Sequence, residues 1–167
     1  YLAGIRDSIE TATAMGIENL GDANQYGLPL VLGGGEVSLL DMVSAYGVFA
    51  NDGVRHPYRR LLKVEDNDGR VLEETTSNGR RVLPENTARL ISDILSDNAA
   101  RSPTFGENSL LHFPGRDVAV KTGTTNDYRD TWIIGYTPDV TVGAWVGNND
   151  NTPLEKKVAG LIVAPLW

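Results

Sequence analysis

One stretch limits what this chain can become: Val118-Ala119-Val120-Lys121-Thr122-Gly123-Thr124-Thr125. A β-prone apolar run breaks off into a lysine, a glycine and several hydroxyls. Strands alternate between an apolar and a polar face, and this one ends in small and polar residues. That is the pattern of an edge strand that holds a ligand against its own backbone. The N–H and C=O groups of a free edge can pair with an extended peptide. Gly123 removes a side chain and lets another backbone come close. Lys121 adds positive charge, and Thr122 and Thr124 add hydroxyls able to grip a carboxylate.

Two more β-prone segments follow, 130–136 and 140–146, separated by the turn Thr137-Pro138-Asp139. The connection 125–129 is too short for a parallel crossover. The Lys121 strand is therefore expected to pair antiparallel with 130–136, as the middle of three sequence-adjacent elements. Upstream the apolar residues recur at helical spacing. Asp7-Ser8-Ile9-Glu10 reads as a capping box and Gly16 as a stop, giving a helix over 7–15. Ser38 caps a second helix, with Leu39, Val43, Tyr46 and Ala50 on one face and Asn51-Asp52-Gly53 at its end. A third runs over 84–97, with Pro84 in the first turn and Ala88, Ile91 and Leu95 inward. The runs 61–64 and 70–72 flank Asn67-Asp68-Gly69, a hairpin turn. The segments 19–35, 98–116 and 148–157 read as connections. The long one at 98–116 leads into the Lys121 strand and is expected to border the same cleft. Helices with antiparallel strands make the expected class α+β.

Several function classes drop out. The formal net charge is −7 over 167 residues, which argues against a nucleic-acid partner. No cysteine is present, so there is no disulfide framework and no thiolate zinc site. His56 and His112 are the only histidines and lack metal-ligand spacing. Neither a metal nor a cofactor is expected. Gly33-Gly34-Gly35 lacks the Lys-Ser/Thr of a phosphate loop, and 115–122 has Val120 where a Walker A motif needs glycine. No run is long and apolar enough to span a membrane.

Lys121-Thr122-Gly123 is also one of three motifs of the serine penicillin-recognising enzymes. The string Lys121-Thr122-Gly123-Thr124-Thr125-Asn126-Asp127-Tyr128-Arg129-Asp130-Thr131-Trp132 is followed by Gly135-Tyr136-Thr137-Pro138-Asp139 and Gly143-Ala144-Trp145-Val146-Gly147. Together with 32–42 and 45–53, it resembles the transpeptidase domain of class A penicillin-binding proteins. The 92–109 stretch is similar to the 1C subgroup. The resemblance implies a partial penicillin-binding-protein/β-lactamase-like fold and a D,D-transpeptidase parent that cross-links peptidoglycan stem peptides and is acylated by β-lactams. It implies roles for Lys121 in proton transfer, for the Thr122 and Thr124 hydroxyls on the substrate carboxylate, and for the Thr124 N–H in the oxyanion hole. Gly123 lets the acyl chain lie flush on the strand. A β-lactamase fits less well, because the matching strings are those of synthases. The implied location is the extracytoplasmic face of the bacterial membrane.

One departure matters. The family nucleophile is the serine of a Ser-x-x-Lys helix, and no Ser-x-x-Lys occurs in this sequence. Ser96-Asp97-Asn98 spells the family's second motif, but at a helix end, where it reads as coincidence. With Tyr1 at the start and an apolar stop at Trp167, residues 1–167 are expected to be the C-terminal part of a transpeptidase domain, inactive alone. The alternative is a non-catalytic peptide- or partner-binding module. Self-association is also expected, through faces left open on the 39–50 helix, the inward side of the Val118 strand and the 161–167 end.

Overall fold

In the computed structural model, which describes residues 3–154 and 156–167, the chain opens with helix α1 (Ile5–Met15). It begins two residues before the expected capping box. Gly4 is its N-cap and Asp7 lies inside the first turn, with no side-chain cap bond, so the box does not form. Gly16 ends the helix in the left-handed region at φ 116°. Short 3-10 turns at Ala23–Gln25 and Leu28–Leu32 occupy the next connection. Helix α2 (Leu39–Ala50) is capped as expected: Ser38 Oγ accepts from Asp41 N at 3.0 Å. Gly53, at φ 87°, turns the chain so tightly that a Cβ there would lie 2.3 Å from Leu83 O.

Strand β1 (Val54–Arg55), the hairpin of β2 (Lys63–Glu65) and β3 (Val71–Glu74), and β4 (Arg80–Arg81) follow. β1 pairs with β4 and β2 with β3, both antiparallel. Helix α3 (Glu85–Ser96) has Pro84 as its cap, one residue outside the expected first turn. The 98–116 connection is not all loop, because helix α4 (Asn98–Phe105) forms within it. Asp97 Oδ1 caps α4 by accepting from Ala100 N at 2.9 Å. Pro103 cannot donate to Ala99 O, and Ser102 Oγ takes that carbonyl instead at 2.9 Å.

Strands β5 (Ala119–Thr124), β6 (Asp130–Tyr136) and β7 (Thr141–Gly147) form one antiparallel sheet in the order β5-β6-β7. The antiparallel pairing of β5 with β6 is as expected, with Lys121 opposite Ile134 and Gly123 opposite Trp132. The placing is not: β6 is the middle strand and β5 lies at the edge. In a meander each strand turns back beside its predecessor, so only the segment between two turns gains a neighbour on both sides. Helix α5 (Ala159–Ile162) then crosses the sheet.

The sheet is covered on both faces. On one, Val120 and Ile133 pack with Leu111, Ala159, Val163 and Ala164. On the other, α2 and α3 meet Tyr136, whose ring stacks on Phe49 with centroids 6.3 Å apart. Tyr136 and Ser92 share a 2.9 Å hydroxyl contact. A Cβ on Gly143 would lie 2.3 Å from Val43 Cγ2, so the glycine is what lets α2 sit this close to β7. A second core joins Met15, Ala45 and Val48. Together these show an α+β fold.

The surfaces expected to lie open are mostly closed. Ala45 and Val48 of α2 are buried beside Met15 of α1, and Ala119 and Val120 of β5 are buried too, Val120 under Leu111, Ala159 and Val163. What stays open in the three candidates is Leu40 on α2 and, at the 161–167 end, Leu161 and Leu166 at 66% and 74% exposure. Leu90 and Ile94 on α3 are also open.

Candidate active site

The candidate site is the free edge of β5. Thr125 N donates to Asp130 O at 3.2 Å where the β5–β6 hairpin closes. Bonded and non-bonded pairs alternate along an antiparallel ladder. Ala119, Lys121 and Gly123 therefore bond to β6, and the N–H and C=O groups of Val120, Thr122 and Thr124 point away from it. The sequence run ends in a polar edge because this backbone is left available.

The side chains divide by the same alternation. Lys121 and Gly123 project to the α2–α3 side, and Thr122 and Thr124 to the α5 side. They converge only at the edge. The Lys121 ammonium folds over it and donates to Thr122 O at 2.6 Å. Thr124 Oγ1 accepts from Ala159 N at 3.1 Å, at the start of α5. A hydroxyl still has its proton to donate after accepting one bond, so Thr124 can hold an anion while it anchors α5. Gly123 keeps the strand low: a Cβ there would touch Trp132 Cβ at 3.4 Å.

The turn beyond the site is tightly held. Asp127 and Tyr128 both adopt positive φ, 59° and 56°, a conformation that costs side-chain-bearing residues energy. Thr125 Oγ1 accepts from Asp130 N at 2.9 Å. Leu154 N donates to Tyr128 O at 2.8 Å, and the Arg129 guanidinium donates to Asn151 O. Asp130 Oδ2 accepts from Trp145 Nε1 at 3.1 Å.

Lys121, Thr122, Gly123 and Thr124, adjacent in the sequence, share one strand. The Ala159 amide that joins them lies 35 residues from Thr124 and carries no local signal in the sequence. Ser96, Asp97 and Asn98 have structural work: Ser96 Oγ bonds Asp93 O, Asp97 caps α4, and Asn98 Nδ2 donates to Glu107 O. The connection from α4 to β5 borders a cavity of about 180 Å³ lined by Arg101, His112, Arg116 and Val118, at the start of β5, with Lys121 outside its lining. Among the described residues no His, Asp or Glu group is arranged to hold a metal ion.

Residues 13–167 match the family model described as the penicillin binding protein transpeptidase domain. The chain is 36% identical over 160 residues to penicillin-binding protein 1A of Aquifex aeolicus, covering 95% of this chain and 21% of the relative. To penicillin-binding protein 1A of Neisseria gonorrhoeae it is 32% identical over 147 residues, covering 84% of this chain and 18% of that one. The chain thus spans about a fifth of the length of these relatives. Among solved structures, the penicillin-binding protein PonA1 of Mycobacterium tuberculosis superposes with a TM-score of 0.83 at 26% identity, over 99% of this chain and 48% of that one. The PonA1 complex with penicillin V gives 0.81 at 25% identity, with the same coverage. Both relatives named here are 1A proteins; the 1C reading of 92–109 stays an expectation.

Proposed function

Because the chain belongs to the penicillin-binding protein transpeptidase family, we propose that it supplies the substrate-holding edge of a serine D,D-transpeptidase. On this reading residues 1–167 are the C-terminal part of the catalytic domain. The parent reaction is acyl transfer. A serine attacks the D-Ala–D-Ala peptide bond of a peptidoglycan stem, the terminal D-alanine leaves, and an amine of a neighbouring stem resolves the acyl-enzyme. β-Lactams would acylate the same serine.

The observation that carries this reading is the outward backbone of Thr122 and Thr124 beside the Lys121 ammonium. An extended peptide laid antiparallel on β5 would meet Thr124 N–H and Thr122 C=O as a missing strand would. A developing oxyanion at the Thr124 amide gains from a donor already fixed in place, worth roughly 3–4 kcal/mol in other enzymes. The Thr122 and Thr124 hydroxyls and the Lys121 charge would hold the terminal carboxylate, and Lys121 would help move a proton toward the leaving amine. The nucleophile is supplied from residues other than these 167, since no serine here has a lysine three positions on. The work would take place on the extracytoplasmic face of the bacterial membrane. Within the described residues no helix is long and apolar enough to cross a membrane.

The test places Lys121→Ala in a transpeptidase polypeptide that contains this stretch and a Ser-x-x-Lys helix. Acylation by a fluorescent penicillin is expected to slow by about a hundredfold or more. An unchanged rate would remove Lys121 from the chemistry. A parent with no acylation before substitution would favour a peptide-binding module.

A further inference from the structure

Three of the four non-glycine residues with positive φ among the described residues meet in one place. Asp127 and Tyr128 lie in the turn between β5 and β6, at φ 59° and 56°, and Asn151 lies in the loop after β7, at 58°. Glycine would adopt these angles without strain, and none stands there. Residues held in costly backbone regions persist only where their surroundings fix them, and they gather at functional sites. Here the surroundings are a second loop. Residues 148–152 are bonded to one another: Asn151 N donates to Asn148 O at 3.0 Å, Asn148 Nδ2 to Thr152 O at 3.0 Å, and Thr152 N to Asp150 Oδ1 at 3.1 Å. This loop offers two groups to the turn. Asn151 O accepts from the Arg129 guanidinium, 22 residues away in sequence, and Leu154 N donates to Tyr128 O at 2.8 Å.

The turn in its place governs Thr124. A peptide unit is planar, with N–H and C=O on opposite sides. Gly123 bonds to β6, so its carbonyl is held inward and the Thr124 N–H is aimed at the free edge. The next peptide unit is held by Thr125 N, which donates to Asp130 O at 3.2 Å. That is the last rung before the turn, and Thr125 Oγ1 braces it by accepting from Asp130 N at 2.9 Å. A turn that relaxed would lose this rung first, and Thr124 would swing with it. We propose that Arg129 is a positioning residue for acyl transfer: by tying the strained turn to the 148–154 loop it holds the Thr124 N–H where the oxyanion develops. It acts through the backbone, without contact to substrate, and its role rests on the acyl-transfer reading of the β5 edge. A donor fixed beforehand need not reorganise as charge develops, and a misplacement of about 1 Å can cost about a hundredfold in rate.

The test uses a transpeptidase polypeptide that contains this stretch and a Ser-x-x-Lys helix, acylated by a fluorescent penicillin over a range of concentrations. Arg129→Met is expected to lower the saturating acylation rate by about ten- to hundredfold. The half-saturating concentration stays unchanged, the mark of an interaction lost only in the transition state. In the same variant the Thr125 and Leu154 amides exchange hydrogen faster. Arg129→Lys, which can still donate to Asn151 O, is expected to restore most of both. Arg59→Met removes a like bond from a guanidinium to a backbone carbonyl, that of Thr75, and is expected to change neither. An unchanged saturating rate in Arg129→Met beside a slowed Lys121→Ala overturns the role of Arg129 and leaves the acyl-transfer reading standing. Equal slowing by Arg59→Met, or unaltered exchange at the two amides, also overturns it. A slowed Arg129→Met beside an unchanged Lys121→Ala supports the positioning role and removes Lys121 from the chemistry. A parent that is never acylated overturns both.

Discussion

Thr131 is fully buried, and its hydroxyl has no partner. An unpaired buried hydroxyl costs free energy that an apolar isostere does not. Thr131→Val is expected to stabilise the chain by about 1 kcal/mol, read as a higher urea midpoint. Thr124 is the opposite case. Thr124→Val removes the acceptor for Ala159 N and should cost about 1 kcal/mol, while Thr124→Ser restores it. β-Propensity does not tell which of these two hydroxyls is bonded, since each sits in a β-prone run and the difference is in what lies above it. The phenols behave differently again. Burial raises the pKa of Tyr46 above its ordinary value of 10.0, with neighbouring Tyr136 adding to it. Burial raises Tyr136 as well, against a lowering bond from Ser92. The unfolded chain releases these protons first. Their contribution to stability is full below pH ~10 and is lost as the pH rises through the folded-state values. Alkaline unfolding monitored by circular dichroism should show this fall, and Tyr46→Phe should flatten it.

At the level of elements, β5–β6–β7, α2 and α3 were legible because periodicity, caps and short turns agreed. Helix α4 was not. Pro103 and Gly106 read as breakers, and only the three-dimensional path shows Ser102 replacing the lost donor. Ser102→Ala is expected to fray the last turn of α4 and cost about 1 kcal/mol, seen as faster amide exchange over 102–106. The edge position of β5 was legible from its polar end, although the order of the three strands was read wrongly. Packing between elements was invisible: Gly143 looks like a weak strand residue until α2 is laid on it. Gly143→Ala forces Val43 aside and should destabilise by roughly 1–3 kcal/mol, a loss measurable by thermal melt.

For the molecule as a whole, the chain is expected to form no covalent adduct with a fluorescent penicillin, as judged by intact mass. An adduct mapped to any serine, Ser96 above all, would overturn the assignment of the nucleophile to other residues. The site strand was legible as a motif. Its dependence on α5 and on the 148–154 loop was not, because those contacts join residues far apart in sequence. The β2–β3 hairpin stands outside this architecture. Its strands pair only with each other, and Leu61, Leu62 and Leu72 lie open. The Arg59 guanidinium reaches across its base to Thr75 O at 2.8 Å. A lone hairpin is marginally stable in water. Its tip at Asp66–Gly69 is thus a place where a foreign loop, a fluorophore or a protease cut can be accepted while the sheet 50 residues downstream goes on undisturbed.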